Sequence, residues 1–204
     1  MSRRQHDHTG QLRQQLAQLA ARIMAEEALA DFHLAKRKAA ARMGVDARKL
    51  LPSNVEIEAE LRAYRALFQG KDHVAHLRRL REAAREAMRF FAAFRPLLVG
   101  PVLEGTAGEH GVVSLHLYVD TPEELGLFLL EQGIPHEQAE VSLRMDNGRR
   151  PFPAVHFMAG DVAMELVLLP AGGGRQPPRS PVDGRPMKRA NLRQLEALLA
   201  ADQG

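Results

Sequence analysis

The chain has 204 residues, enough for one ordinary domain or two small ones; 45% are hydrophobic, 5% aromatic, and there is no Trp and no Cys. Without cysteine there are no disulfides and no thiolate metal sites. No apolar run reaches the roughly 18 residues of a membrane span, and the polar start MSRRQHDHTGQLRQQ has no apolar signal core, so a soluble cytoplasmic protein is expected.

The net charge of +3 conceals an asymmetry: residues 1–95 carry 19 Lys/Arg against 11 Asp/Glu, whereas residues 96–204 carry 9 against 14. Such a split suggests two parts with different partners, or two parts attracted to each other. Residues 1–95 are read as a helical region, with 1–10 expected to be disordered, and 96–204 as an α/β domain.

In chain order, Leu12, Leu16, Leu19 and Ile23 recur at helical spacing. Asp31 can cap a helix that Gly44 ends. Ser53 and Glu56 form a capping box ahead of the stripe Ile57, Leu61, Tyr64 and Phe68, which Gly70 stops. A last helix starts near Asp72, with Val74, Leu77, Ala84, Met88 and Phe91 on one side, and Pro96 marks its end. Two basic clusters, Lys36-Arg37-Lys38 with Arg42, and Arg78, Arg81, Arg85 and Arg89, could supply sequence-independent phosphate contacts. Glu82 and Glu86 interleave with the second as on a solvated, salt-bridged helix, and no aromatic residues stand among the arginines to stack on bases. Nucleic-acid binding by this half therefore stands as an alternative only.

The second half alternates strand and helix. LLV and VVSLHLYV read as strands, and Thr121 with Pro122 as a helix start that runs to Gly133. AEVSLRM, AVHFM and VAMELVLLP form a meander, the first turn marked by Asn147-Gly148. The Gly- and Pro-rich 171–186 stretch cannot be regular, and KRANLRQLEALLAA closes the chain as a helix.

The stretch GPVLEGTAGEHGVVSLHL (100–117) resembles the signature of the nucleotidyltransferase superfamily, the polymerase-beta-like fold. The family pattern runs strand, Gly-Ser, a short turn ending in Gly-Thr-Ala, then Ser-Asp-x-Asp-Leu opening the next strand. Laid on this chain, the first Gly falls on Gly100 and its Ser on Pro101. Gly-Thr-Ala falls on Gly105, Thr106 and Ala107, the two Asp on Val112 and Ser114, and the Leu on Leu115. A third family carboxylate matches Glu165. The whole chain also looks like a group of uncharacterised proteobacterial proteins ending SPVDGRPM. The resemblance implies an α+β protein, a helical N-terminal part followed by a nucleotidyltransferase-like domain with a mixed sheet flanked by helices.

The departures bear on the chemistry. Nucleotidyl transfer needs two divalent metals about 3.5–4 Å apart, and Mg²⁺ takes hard oxygen ligands. Val112 offers none, Ser114 a neutral hydroxyl, and Pro101 lacks both the hydroxyl and the backbone N–H that would cradle a phosphate. Alternation along the strand puts Ser114, His116 and Tyr118 on one face, but a Ser/His/Glu triad there has no strained elbow to present the serine. A metal on His116 and Glu165 is weaker than a hydrogen-bonded polar pair. Arg185 could reach a phosphate, though a packed loop fits it better.

The expectation is a pseudoenzyme with no catalytic residues, no metal and no cofactor, serving binding, regulation or assembly. Its vestigial cleft comprises Gly100, Gly105, Thr106, Ser114, His116, Glu165 and Arg185. The partner is an unidentified protein or nucleotide, with no membrane. The enzymatic alternative is an active, Mg²⁺-dependent nucleotidyltransferase using atypical acids such as Glu104, Glu109 or Asp120.

Overall fold

The structure, a computed structural model, describes residues 3–27, 29, 31–45, 50–68, 70–172 and 176–202. It is an α+β fold and divides into two units, Met1–His73 and Val74–Gly204. The division falls at 73/74 and not at the expected 95/96, because the helix that precedes the first strand belongs, by its packing, to the sheet.

The first unit holds α1 (Arg3–Glu26), α2 (Phe32–Met43) and α3 (Asn54–Phe68). α1 begins at Arg3, so a helix occupies residues expected to be disordered; Met1 and Ser2 lie outside the described residues. Small alanines (Ala17, Ala20, Ala21, Ala35, Ala39, Ala40) alternate with Leu16, Ile23, Ile57 and Leu61 in the core, which lets the helices approach closely. The expected caps are present. Asp31 accepts from the N–H groups of His33 and Leu34, and Gly44, at φ 65, closes α2. The Ser53 N–H donates to Glu56 at 2.6 Å while the Glu56 N–H donates to Ser53 Oγ at 3.2 Å. Arg13 of α1 also bonds Glu56 at 2.7 Å, and this pairing foremost, with the Ser53 bonds, pulls the Glu56 carboxyl down to about 2. Tyr64 donates to Glu26, while the side chain of Phe68 lies outside the described residues. Lys38 and Arg42 converge on Glu27, so half of the first basic cluster is already paired.

The second unit is built on a five-stranded sheet. Its elements are α4 (Gly70–Phe90), β1 (Leu97–Val99), α5 (Gly100–Glu104), β2 (Val113–Val119), α6 (Pro122–Glu131), β3 (Glu137–Met145), β4 (Gly148–Ala159), β5 (Val162–Pro170) and α7 (Leu192–Ala201). α3 ends at Phe68, ahead of the stop expected at Gly70, and Gly70, at φ 33, opens α4 slightly before the expected start near Asp72. The strand order is β1-β2-β5-β4-β3, with β2 and β5 parallel and the other neighbours antiparallel. Leu98, Val113, Leu115, Leu117, Val155, Met164, Leu166 and Leu168 face a core closed by Leu80, Ala84, Met88 and Phe91 of α4, Leu125 and Leu129 of α6, and Leu195 and Leu199 of α7. Val74, expected on the same stripe, is exposed. Thr121 occupies the N-cap of α6 without a side-chain cap bond, whereas Asn191 caps α7 in a full box with Gln194.

β4 is longer than expected and runs through Pro151-Phe152-Pro153. Proline belongs in a strand only where its missing N–H faces no neighbour. Met145 and Gly148 flank a two-residue turn and are a hydrogen-bonded pair, so Pro151 and Pro153, at odd steps from it, turn their nitrogens away from β3. They face the β5 side, where β4–β5 pairing extends no further than Ala154–Val167 although β5 itself runs on to Pro170. The tip of the β3–β4 hairpin thus runs beyond its pairing with β5, held on its outer edge by Arg179 of the segment that follows β5.

The opposite sheet face carries Val99, Ser114, His116, Tyr118, Glu165, Val167, Leu169, Ala154 and His156. The segment that follows β5 links the two edge strands. The Arg179 N–H bonds the Arg144 carbonyl on β3, and Ala190 exchanges two backbone bonds with Leu98 on β1. Residues 173–175 lie outside the described residues. The half of this face near the ends of β2 and β5, with His116, Tyr118, Val167 and Leu169, is buried, while the half near their starts is open.

Candidate functional site

The open half-face is where the predicted cleft residues come together in part. β1 ends at Val99, and Gly100, at φ 72, turns the chain directly into α5, with Pro101 in the first turn. Gly105, at φ 77, closes that short helix by donating its N–H to the Pro101 carbonyl. The Thr106 N–H bonds the same carbonyl, and Thr106 and Ala107 are buried. The chain then enters β2, where Ser114 is the register partner of Val99 on one side and of Glu165 on the other. The Ser114 hydroxyl donates to Glu165 Oε1 at 3.0 Å.

The second carboxylate oxygen of Glu165 is also engaged. His156 Nε2 lies 3.3 Å from Oε2, across the β4–β5 pair. The histidine is 46% exposed and the glutamate 26%, so the trio opens to solvent. Glu165 is its centre, bridging a hydroxyl and an imidazole. In a hydrolytic triad the histidine stands between serine and acid; this order differs, and His116, the histidine first considered for it, takes no part. His116 is 1% exposed and flanked by Leu97 and Val167, and Nδ1 has no hydrogen-bond partner. Burial foremost, with the Arg189 charge added, pushes its imidazole down to about 4. Arg189 itself donates to Tyr118 Oη at 2.6 Å, and the Arg95 guanidinium stands 5.8 Å over the Tyr118 ring.

Arg185 lies outside the cleft. Its side chain is 85% exposed at a tight turn in which the Arg185 N–H donates to Asp183 and the Ser180 N–H donates to the Arg185 carbonyl. The acids weighed for an active enzyme are placed elsewhere: Glu104 pairs with Lys188 at 2.8 Å, and Asp120 follows the far end of β2. Among the described residues no three His, Cys, Asp or Glu side chains gather as a metal site. The second basic cluster is internally engaged as well: Arg78 bonds Glu82, Arg85 bonds Glu86, Arg89 bonds Glu86 and Glu196, and Arg81 is buried.

His156 is the residue that sequence reasoning missed. A usable signal existed, because counting outward from the tight turn between Ala159 and Val162 sets His156 opposite Glu165. Elsewhere on the core side, a hollow of about 180 Å³ lies at the start of α6, lined by Pro122, Gly126, Gln138, Pro153 and Leu168 among others.

No helix among the described residues is long and apolar enough to cross a membrane. No protein-family model matches the chain, and no curated protein or solved structure matches it.

Proposed function

We propose that the Val74–Gly204 unit is a nucleotidyltransferase-like domain without the metal-dependent activity, whose open cleft serves binding, regulation or assembly. The observation that carries this reading is the placement of Ser114 directly beside Glu165. The family signature puts two of its carboxylates at these positions. The turn at Gly100 and the shared face of Ser114 and Glu165 support this reading. What occupies the position of the second Asp is a hydroxyl that donates a hydrogen bond to the remaining acid. The hydrogen-bonded Ser–Glu–His trio holds one carboxylate where two-metal chemistry needs several.

Two measurements test it. With Mg²⁺ or Mn²⁺ and each of ATP, CTP, GTP and UTP, the purified protein is expected to release pyrophosphate no faster than its Glu165→Ala variant. Metal-dependent release above that control overturns the reading. Conversely, Val112→Asp with Ser114→Asp should rebuild a cation site beside Glu165. Val112 is exposed at the strand entrance, so a charge there stays hydrated. Three clustered carboxylates repel, so the metal-free variant should melt below the parent. Bound Mn²⁺ should restore about 2.7 kcal/mol at a hundredfold excess over its dissociation constant. If Mn²⁺ raises the variant's melting temperature no more than the parent's, the assignment of these positions to the signature fails.

A further inference from the structure

The tip of the β3–β4 ribbon carries a charge arrangement that its own fold does not explain. Arg144 and Arg149 are register partners across the two strands. One step from the hydrogen-bonded pair Met145–Gly148, they form a pair of the closer kind, in which like charges directly opposite destabilise a sheet. Both are exposed, as is Arg150 on the other face of the ribbon, opposite Leu143. Among the described residues none of the three has an acidic partner, although ion pairs are plentiful elsewhere in the unit. The nearby Asp146 is taken by Arg179 at 2.6 Å. The Arg144 backbone carbonyl is bonded to Arg179, but its guanidinium is free.

We infer that this ribbon tip is a binding surface for the phosphate backbone of duplex nucleic acid. The inference is independent of the reading of the cleft. Guanidinium groups match phosphate oxygens in a two-pronged fork. A two-stranded ribbon has the width of the major groove, and cations on both of its faces suit the two phosphate walls of that groove better than a peptide laid along one face. The tip exposes no aromatic ring for stacking, so the contacts are to phosphate and are sequence-independent. Pro151 and Pro153 keep the ribbon's inner edge from pairing with another strand, leaving side chains to make the contact.

The test uses the full chain and its variant Arg144→Ser/Arg149→Ser/Arg150→Ser, with fluorescence anisotropy on a short labelled DNA duplex and on poly-glutamate of matched charge. The parent should bind the duplex with an affinity that falls steeply with salt. The variant should bind at least about tenfold more weakly, with a salt slope shallower by about two to three units. Its melting temperature should equal or exceed the parent's, because a repulsive pair has been removed. Absence of salt-dependent duplex binding by the parent overturns the inference, as does a variant that binds as well as the parent. Equal binding of poly-glutamate would assign the surface to an acidic protein. A variant that melts lower would make the arginines structural.

Discussion

Arg81→Ala is expected to cost the fold about 3 kcal/mol, the low end of the range for breaking one side of a buried ion pair. For a unit of this size that corresponds to a fall of about 10 °C in melting temperature. The guanidinium is 7% exposed and spends its donors on three residues. Nε bonds the Val102 carbonyl at 3.2 Å, Nη2 the Leu103 carbonyl at 3.3 Å, and Nη1 both oxygens of Asp202 at 3.0 and 2.7 Å. Val102 and Leu103 lie in α5, whose terminal carbonyls have no partner in so short a helix. Asp202 follows α7. One side chain on α4 therefore fastens the α5 turn and the last helix together. Truncation leaves two carbonyls and a carboxylate without partners, but Asp202 is 25% exposed and regains water, which keeps the cost at the low end. Arg81→Lys should recover only part of the loss, because an ammonium cannot serve three directions in one plane. Thermal unfolding of the parent, both variants and Asp202→Asn measures this. A loss below about 1 kcal/mol would mean that the contacts are those of an ordinary surface pair.

Arg81 also shows where sequence pattern misled. Grouped with Arg78, Arg85 and Arg89, it looked like part of a phosphate-binding face. Its position tells otherwise: Leu77, Arg81, Ala84, Met88 and Phe91 follow one another at three- and four-residue steps, so the arginine stands in the buried stripe. A cation inside an apolar series signals an internal partner, and the partner was Asp202, 121 residues away. Local signals were legible wherever the deciding atoms are near in sequence. The Asp31 cap, the Ser53–Glu56 box and the Asn147-Gly148 turn are of that kind.

The unit boundary was not local. A change from helix to strand near residue 95 invited a division there, but the apolar stripe of α4 does not say which core it will enter, and it enters the one beneath the sheet. The site divides the same way. His156 opposite Glu165 follows from counting across a tight turn. Ser114 beside Glu165 depends on a parallel pairing of strands 51 residues apart, which periodicity cannot specify and only the resemblance suggested. The burial of His116 was equally hidden: Arg189, on the irregular segment after β5, bonds Tyr118 on the same sheet face, a placement that no local pattern encodes.

That burial sets the second large effect, a loss of stability on mild acidification. His116 has a folded-state value of about 4 against 6.5 for the exposed side chain. A base with a depressed value resists protonation when folded, so the unfolded chain binds the extra proton. The contribution is complete above pH 6.5 and is lost as pH falls from 6.5 toward 4. About 2.5 units at about 1.36 kcal/mol each gives a total near 3 kcal/mol. The Arg189 charge, held at Tyr118, acts in the same sense by repelling an imidazolium, while the Glu165 carboxylate is bonded to Ser114 and His156. His116→Leu removes the titration and the unpartnered Nδ1 together, at similar volume. The variant should match or exceed the parent at pH 7, and its stability should decline less between pH 7 and 4 by about 3 kcal/mol. Urea midpoints across that range, read as the difference between the two proteins, separate His116 from the carboxylates, because groups such as Glu56 titrate alike in both. Parallel profiles would mean that the imidazole takes up its proton inside the fold, with the segment ending at Ala190 yielding to admit water.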